Sequence, residues 1–184
     1  MTFATWWRDD PLPELAPLPT FSAGPSNDVR LIARLTNQST AIVEMRREIE
    51  DRPYLAFLGD TPVAYGWLTT RAGSIGDLQF RFELPPRNAY LYDFKTLPEW
   101  RGHGIYPRLL QAIVQQEPEI DRFWIGYVPG NVASARGISK AGFHELSDFV
   151  VEQGRITGMV LFEHSERARA NVDLFQLPVI PTPS

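Results

Sequence analysis

Apolar and polar residues change their spacing several times along the chain, and each change marks an element. Over residues 27–51 the spacing is helical: Val29, Ile32, Ala33 and Leu35 fall on one side, then Ile42, Met45 and Ile49 repeat. Asn37-Gln38-Ser39-Thr40 breaks the pattern into two helices, with Ser39 or Thr40 available to cap the second. Two strand-like runs follow, YLAFL and PVAYGWLTT, joined through Gly59-Asp60, a pair suited to the tight turn of a β-hairpin. Leu78, Phe80 and Phe82 then alternate with Gln79, Arg81 and Glu83, the period of a half-buried strand, until Pro85-Pro86 ends it. AYLYDFKT, closing at Thr96, is another strand. A helix comes after it with Ile105, Leu109, Leu110, Ile113 and Val114 on the buried side, ending by Pro118. RFWIGYV is a mostly apolar strand. NVASARGISKAGF is a helix with Asn131 as its N-cap and Gly142 at a left-handed C-terminal position. HELSDFVVEQGRITGMVLFEH turns back on itself at Gln153-Gly154 as a final hairpin.

The two ends break these periods. In residues 1–26, Pro11, Pro13, Pro17, Pro19 and Pro25 forbid a long helix and withhold donors from a central strand. Phe3, Trp6, Trp7 and Phe21 are too apolar for a free tail. The expectation is an arm that starts in a short helical turn, then extends over the domain surface as core cover or as a substrate lid. After Ser165, Pro178, Pro181 and Pro183 predict a tail running over the surface. The division is therefore an arm (1–26), a central domain (27–164) and a tail (165–184).

Composition narrows the function classes. A chain of 184 residues, 43% hydrophobic and 22% charged, fits one globular domain with a real core. Its formal net charge of −4 argues against a nucleic-acid partner, which needs a basic surface. No Cys means no disulfide framework, no thiolate metal site and no cysteine nucleophile. The start lacks the basic-then-apolar pattern of a secretory signal, and no run nears the ~20 apolar residues that span a bilayer. The expected compartment is the cytoplasm, with no membrane partner. His103, His144 and His164 show no metal-ligand spacing, so no metal site is expected.

The candidate chemistry lies in TLPEWRGHGIYPRLLQ. A strand delivers the chain to Arg101-Gly102-His103-Gly104, and a helix starts at once, with Pro107 in its first turn where a missing N–H is no loss. Free amides at a helix start, glycines that permit close approach and a fixed cation make a cradle for a phosphate or pyrophosphate. A nucleotide P-loop would need Gly-Lys-Ser/Thr where this turn has Gly-Ile-Tyr. A dinucleotide fingerprint would need a third Gly where Pro107 stands. The stretch PEWRGHGI instead resembles the pyrophosphate loop of the GNAT superfamily of N-acetyltransferases, Arg/Gln-x-x-Gly-x-Gly/Ala, through Arg101 and Gly104. NVASARGISKAGF resembles that family's second motif through Asn131, Ser134, Lys140, Gly142 and Phe143, in the right order and one helix and one strand downstream. The resemblance covers residues 27–164.

The resemblance implies an α/β (α+β) fold: a mixed, mostly antiparallel sheet of six to seven strands, flanked by helices and splayed into a V between residues 90–96 and 122–128. Acetyl-CoA would enter that opening and leave as coenzyme A. Its pyrophosphate would take the amides of Gly102, His103, Gly104, Ile105 and Tyr106 beside Arg101. Its pantetheine would run along Phe94, Lys95 and Thr96, Asn131 and Ser134 would contact the cofactor from the second motif, and Arg136 on the same helix would either reach a phosphate or face water. An amine of a small molecule or peptide would attack the thioester directly; a homodimer is compatible with this scheme. That chemistry asks for a base, an oxyanion donor and an acid. Asp93 is the expected base, its alternative being a salt bridge to Lys95 or Arg101, with Glu83 in reserve. A backbone N–H around residues 94–96 would serve the oxyanion. Relatives often place the acid, a Tyr, where this chain has Ile138. Tyr127, on the strand lining the opening, is the first substitute, ahead of Tyr106, Ser139 or water. Without an acid, the second reading is a non-catalytic acyl-CoA-binding module. Tyr106 also departs from the Gly/Ala of the loop pattern, so its side chain is expected to turn from the phosphates or stack beside the cofactor.

Overall fold

Alternation of buried side chains along the strands builds a sheet with helices on both faces. The computed structural model describes residues 1–181; residues 182–184 of the expected tail, Pro183 among them, lie outside the described residues. The strands of the main sheet are β1 (Thr2–Trp7), β2 (Phe21–Pro25), β3 (Arg52–Leu58), β4 (Thr61–Thr69), β7 (Asn88–Thr96), β8 (Arg122–Tyr127), β9 (His144–Glu152) and β10 (Arg155–Leu161). They lie in the order β10-β9-β1-β8-β7-β4-β3-β2, and β5 (Ala72–Ile75) with β6 (Phe80–Glu83) forms a separate two-stranded sheet. Every pairing is antiparallel except β7 with β8. The mixed, mostly antiparallel sheet is as expected, with eight strands instead of six or seven.

The helices are α1 (Val29–Thr36), α2 (Thr40–Glu48), α3 (Ile105–Gln116), α4 (Val132–Lys140) and α5 (Glu166–Phe175). On β7, Ala89 and Leu91 point to one face, where they join Leu109, Leu110 and Ile113 of α3 and Ile138 of α4. Tyr90, between them, points to the other face and joins Phe3, Trp124, Phe149 and Phe175. A third cluster packs Ile32, Ala33 and Val43 of α1 and α2 on Leu55, Tyr65 and Trp67. Each fully buried aliphatic or aromatic side chain contributes roughly 1.5–3 kcal/mol, so these layers fix the faces of the sheet.

Both ends depart from expectation. Thr2–Trp7 is no surface arm and has no helical turn; it is a strand in the interior of the sheet, paired with β8 on one side and β9 on the other. The prolines that argue against a central strand begin only at Pro11, so the first seven residues keep every donor the ladder needs. Beyond them the segment does run over the surface: Gln111 donates to the Pro13 carbonyl at 2.9 Å, and Arg108 donates to that of Ala16. The tail is likewise a helix first. Ser165 caps α5 by accepting from the Ala168 amide, and Leu174 and Phe175 are buried. Its prolines come too late to interfere.

Two smaller expectations also shift. Leu78 ends a 3₁₀ turn (Gly76–Leu78), and the strand begins only at Phe80. On α2 the buried residue is Val43, while Ile42, Met45 and Ile49 are exposed. The hairpin turns hold at Gly59-Asp60 and Gln153-Gly154; φ is positive at both Gln153 and Gly154, the geometry that matches strand twist.

Candidate functional site

Strands β7 and β8 pair only over Asn88–Leu91 with Arg122–Ile125, although β7 runs on to Thr96 and β8 to Tyr127. Past Leu91 the strands separate, and the backbone of β7 from Tyr92 onward is free on that side. A bulge sharpens the departure. Opposite Gly66 of β4, strand β7 places two residues, Asp93 and Phe94, with Asp93 at φ +53°. The Phe94 ring lies across Gly66, where a Cβ would stand 2.1 Å from Cε1.

Phe94 turns towards α3 and Asp93 towards α2. There the carboxylate Oδ2 accepts from Arg46 Nη1 at 2.6 Å. Asp93 is therefore ion-paired, but with Arg46 and not with Lys95 or Arg101. The Arg46 guanidinium lies over the rings of Trp67 at 4.9 Å and Tyr92 at 5.6 Å, and Tyr92 donates its hydroxyl to Asp51 at 2.5 Å. Burial and that bond to Asp51 hold the Tyr92 phenol well above its usual range.

After Thr96 a 3₁₀ turn (Pro98–Trp100) leads into Arg101–Gly104 and α3. Gly102 and Gly104 have φ of +82° and +68°, values that favour glycine. Helices α1, α2, α4 and α5 each have a side-chain N-cap, from Asp28, Ser39, Asn131 and Ser165. Helix α3 has none: its N-cap is Gly104. None of the amides from Gly102 to Tyr106 finds an acceptor among the described residues. Free helix-start amides of this kind are a seat for negative charge.

These amides open into a cleft of about 550 Å³ between α3, α4 and the end of β7. Of the residues expected to hold a cofactor, Phe94, Lys95, Thr96, Arg101 and Gly102 line it, as do Gly104, Ile105, Tyr106, Asn131 and Ser134. His103 does not; its Nδ1 lies 2.9 Å from the Arg101 carbonyl, and the side chain is exposed. Asn131 spends its Oδ1 on the Ser134 amide at 3.1 Å, so it shapes the wall by capping α4. Arg136, for which a phosphate contact and solvent were both open, is exposed and lines the cleft with Lys140. Lys95, Arg101, Arg136 and Lys140 make the cleft basic in a chain of net charge −4, and no lining residue is acidic.

Tyr106 solves the problem its size raises by turning inward. Its ring packs on Phe94, with centroids 5.6 Å apart, and on the bare backbone of Gly137. Burial, with a smaller push from Tyr90, raises its phenol pKa, so it stays neutral. Its hydroxyl has no hydrogen-bond partner among the described residues and is not sealed in the core. Tyr127 is placed differently from expectation. Its hydroxyl donates to Glu145 at 2.6 Å, burial and that bond push its pKa up to about 12, and it does not line the cleft. Ile138 is buried in the core, and Glu83 forms an exposed ion pair with Arg81 on the small sheet. Trp67 and Trp124 are core residues.

Of the α4 wall, only Ala133 and Gly137 went unnamed in the sequence; they recur with Arg136 and Lys140 at helical spacing and share the cleft-facing side. Two small and two basic residues on one face were the available signal. Among the described residues, no helix is long and apolar enough to cross a membrane, and no group of His, Asp and Glu is placed to hold a metal.

A family model described as acetyltransferase (GNAT) family matches residues 17–143. No curated protein matches the chain. Among solved structures, one of the GNAT family from Novosphingobium aromaticivorans is similar at 17% identity and a TM-score of 0.53; the match covers 78% of this chain and 59% of that one. An aminoglycoside 6'-N-acetyltransferase, AAC(6')-IG from Acinetobacter haemolyticus, is similar at 22% identity and a TM-score of 0.51, covering 73% and 99%. AAC(6')-Ib in complex with paromomycin and acetyl-CoA is similar at 16% identity and a TM-score of 0.54, covering 74% and 89%. At these identities the likeness is one of fold.

Proposed function

Because the chain belongs to the GNAT acetyltransferase family, we propose that it is an acetyl-CoA-dependent N-acetyltransferase acting on a primary amine of a small molecule or peptide. The observation that carries this is the uncapped start of α3, opening into a basic cleft that ends at the splay of the sheet. A pyrophosphate fits there: five backbone amides await acceptors, and an added Cβ at Gly102 would meet nothing within 4 Å. Structures of this fold described with acetyl-CoA and with an aminoglycoside support both the cofactor and a small-molecule amine.

When bound, acetyl-CoA supplies an acyl group activated as a thioester. The chain's own part is binding, orientation and proton traffic. Lys95, Arg101, Arg136 and Lys140 offset the phosphate charge. A free N–H of β7 beyond the bulge hydrogen-bonds the carbonyl oxygen as charge gathers on it. Asp93, on the opposite face of the splay, takes the proton of the incoming ammonium through Oδ1, since Oδ2 is held by Arg46. The neutral phenol of Tyr106 hydrogen-bonds the departing sulfur, a role in which it replaces Tyr127. A second proton leaves the amine nitrogen and ends on that sulfur, so the products are an amide and a thiol.

The ion pair of Asp93 with Arg46 favours one rival, a cofactor-binding module without turnover. Release of thiol from acetyl-CoA against a panel of primary amines separates the two. Turnover that falls at least tenfold in Asp93→Asn supports the enzyme. Thermal stabilisation by coenzyme A with no thiol release above background supports the module, because binding to the native state alone raises stability. Absence of stabilisation by millimolar coenzyme A overturns both.

A further inference from the structure

Arg46 and Asp93 stand side by side at the mouth of the splay, on the face away from the basic cleft. The pair is held rigidly. Trp67 and Tyr92 support the guanidinium, Asp51 fixes Tyr92, and Asp93 is locked in the bulge at φ +53°. Only Nη1 of Arg46 is engaged by a hydrogen bond among the described residues, and the side chain is 19% exposed, so its other N–H donors remain available. Asp93 is 33% exposed, with Oδ1 without a partner.

From this geometry we infer that the acceptor amine carries a carboxylate beside it, as a free α-amino acid does. The inference rests on the acetyltransferase reading above. An ammonium on Asp93 and a carboxylate on the free edge of Arg46 would close a ring of four alternating charges. Guanidinium suits this task because its planar fork matches a carboxylate in pairs of hydrogen bonds. The same pair disfavours a polycationic acceptor, because Arg46 already neutralises Asp93 and repels further cations. One turn before Arg46 on α2, and at the C-cap just past its end, Ile42 and Ile49 are exposed and offer an apolar neighbour for the acceptor's side chain. Leucine is therefore the probe of choice.

The test compares kcat/KM for leucine, leucinamide and isopentylamine, with paromomycin as the polycation, in the native protein and in Arg46→Met and Arg46→Lys. Leucinamide is less basic than leucine and isopentylamine more so, which brackets amine basicity. The expected preference for leucine over both is about 10–100-fold, the worth of a hydrogen-bonded charge pair. That preference should collapse towards unity in Arg46→Met and fall partway in Arg46→Lys. Equal use of the three amines, a preference for paromomycin, or a loss in Arg46→Met that is the same for all amines would overturn the inference. Calorimetry supplies the second readout. If coenzyme A binds but leucine at millimolar concentration does not bind the saturated protein, the inference fails and the acetyltransferase reading stands. If coenzyme A itself does not bind, both fail.

Discussion

Gly137 on α4 touches the ring of Tyr106 on α3 so closely that a Cβ at Gly137 would lie 2.4 Å from Cδ1 of the ring. A large residue in the loop and a missing side chain on the opposite wall are thus one arrangement. Gly137→Ala should push the ring into the cleft, destabilise the fold by about 1–3 kcal/mol as overpacking does, and weaken coenzyme A binding. Adding Tyr106→Ala should recover part of both losses. A cycle of the two substitutions in urea, with a coupling below ~0.5 kcal/mol, would refute the contact.

Tyr106 itself should separate packing from chemistry. Tyr106→Phe keeps the ring between Phe94 and Gly137, so stability and coenzyme A affinity should hold while kcat falls about 10²-fold, the low end for a proton donor. Tyr106→Gly should leave coenzyme A affinity nearly intact, because the amide is retained, yet cost about 3–5 kcal/mol of stability as a buried aromatic is lost. Denaturant titration beside steady-state kinetics checks both.

Gly104→Val should abolish coenzyme A binding. A β-branched residue is strained at φ +68°, and its Cβ would stand 2.5 Å from Nη1 of Arg108, which hydrogen-bonds the Gly104 carbonyl. Gly154→Val supplies the control: its φ is also positive, at +77°, but nothing lies within 4 Å. Gly104→Val should lose at least as much stability as the control, and only Gly104→Val should lose binding by calorimetry.

All six tyrosines have raised pKa values: Tyr54, Tyr65, Tyr90, Tyr92, Tyr106 and Tyr127. Burial is the leading cause at each. The folded state therefore holds these protons more tightly than the unfolded chain, whose phenols ionise near 10.0. Their stabilisation is whole below about pH 10 and is lost as pH rises towards the folded values, about 12 for Tyr90 and Tyr127. Phenolate absorbance should appear in one steep step together with loss of circular dichroism. Gradual titration centred near pH 10 with the dichroism intact would contradict this.

Phe175 closes the second core from the helix that the prolines concealed. Its ring lies 4.5 Å from Phe3, 4.8 Å from Phe82 and 4.9 Å from Phe149, centre to centre. Phe175→Ala should cost about 3–5 kcal/mol, read as a drop in the urea midpoint with an unchanged slope.

The middle of the fold was legible because its signals are local. Helical spacing at 105–114, Asn131 as a cap and positive φ at Gln153-Gly154 each follow from a few neighbouring residues. The glycine turn that opens α3 was legible for the same reason, since Gly102 and Gly104 set its backbone within a few residues. Illegible were relationships set by distant partners. No local pattern says that Thr2–Trp7 finds two strands to pair with, or that Arg46 reaches Asp93 across 47 positions. Proline counting misled at both ends because it averaged over segments whose prolines cluster away from the structured part. Tyr127 looked suitable by strand position, but its hydroxyl orientation depends on Glu145, a residue of another strand.

The place of β1 has a consequence for how the molecule is made. Thr2 pairs with Tyr127 on one side and Asp148 on the other, so β1 meets its neighbours only across long stretches of chain. Loop closure over such a separation is slow, and β8 and β9 each present an open edge until it happens. Trp6 finds its partner in Phe123, and Phe3 completes its packing only with Phe149 and Phe175. The pairing of the six residues of β1 thus spans the largest sequence separation in the main sheet, and the expected outcome is a slow refolding phase that a substitution in β1 alters.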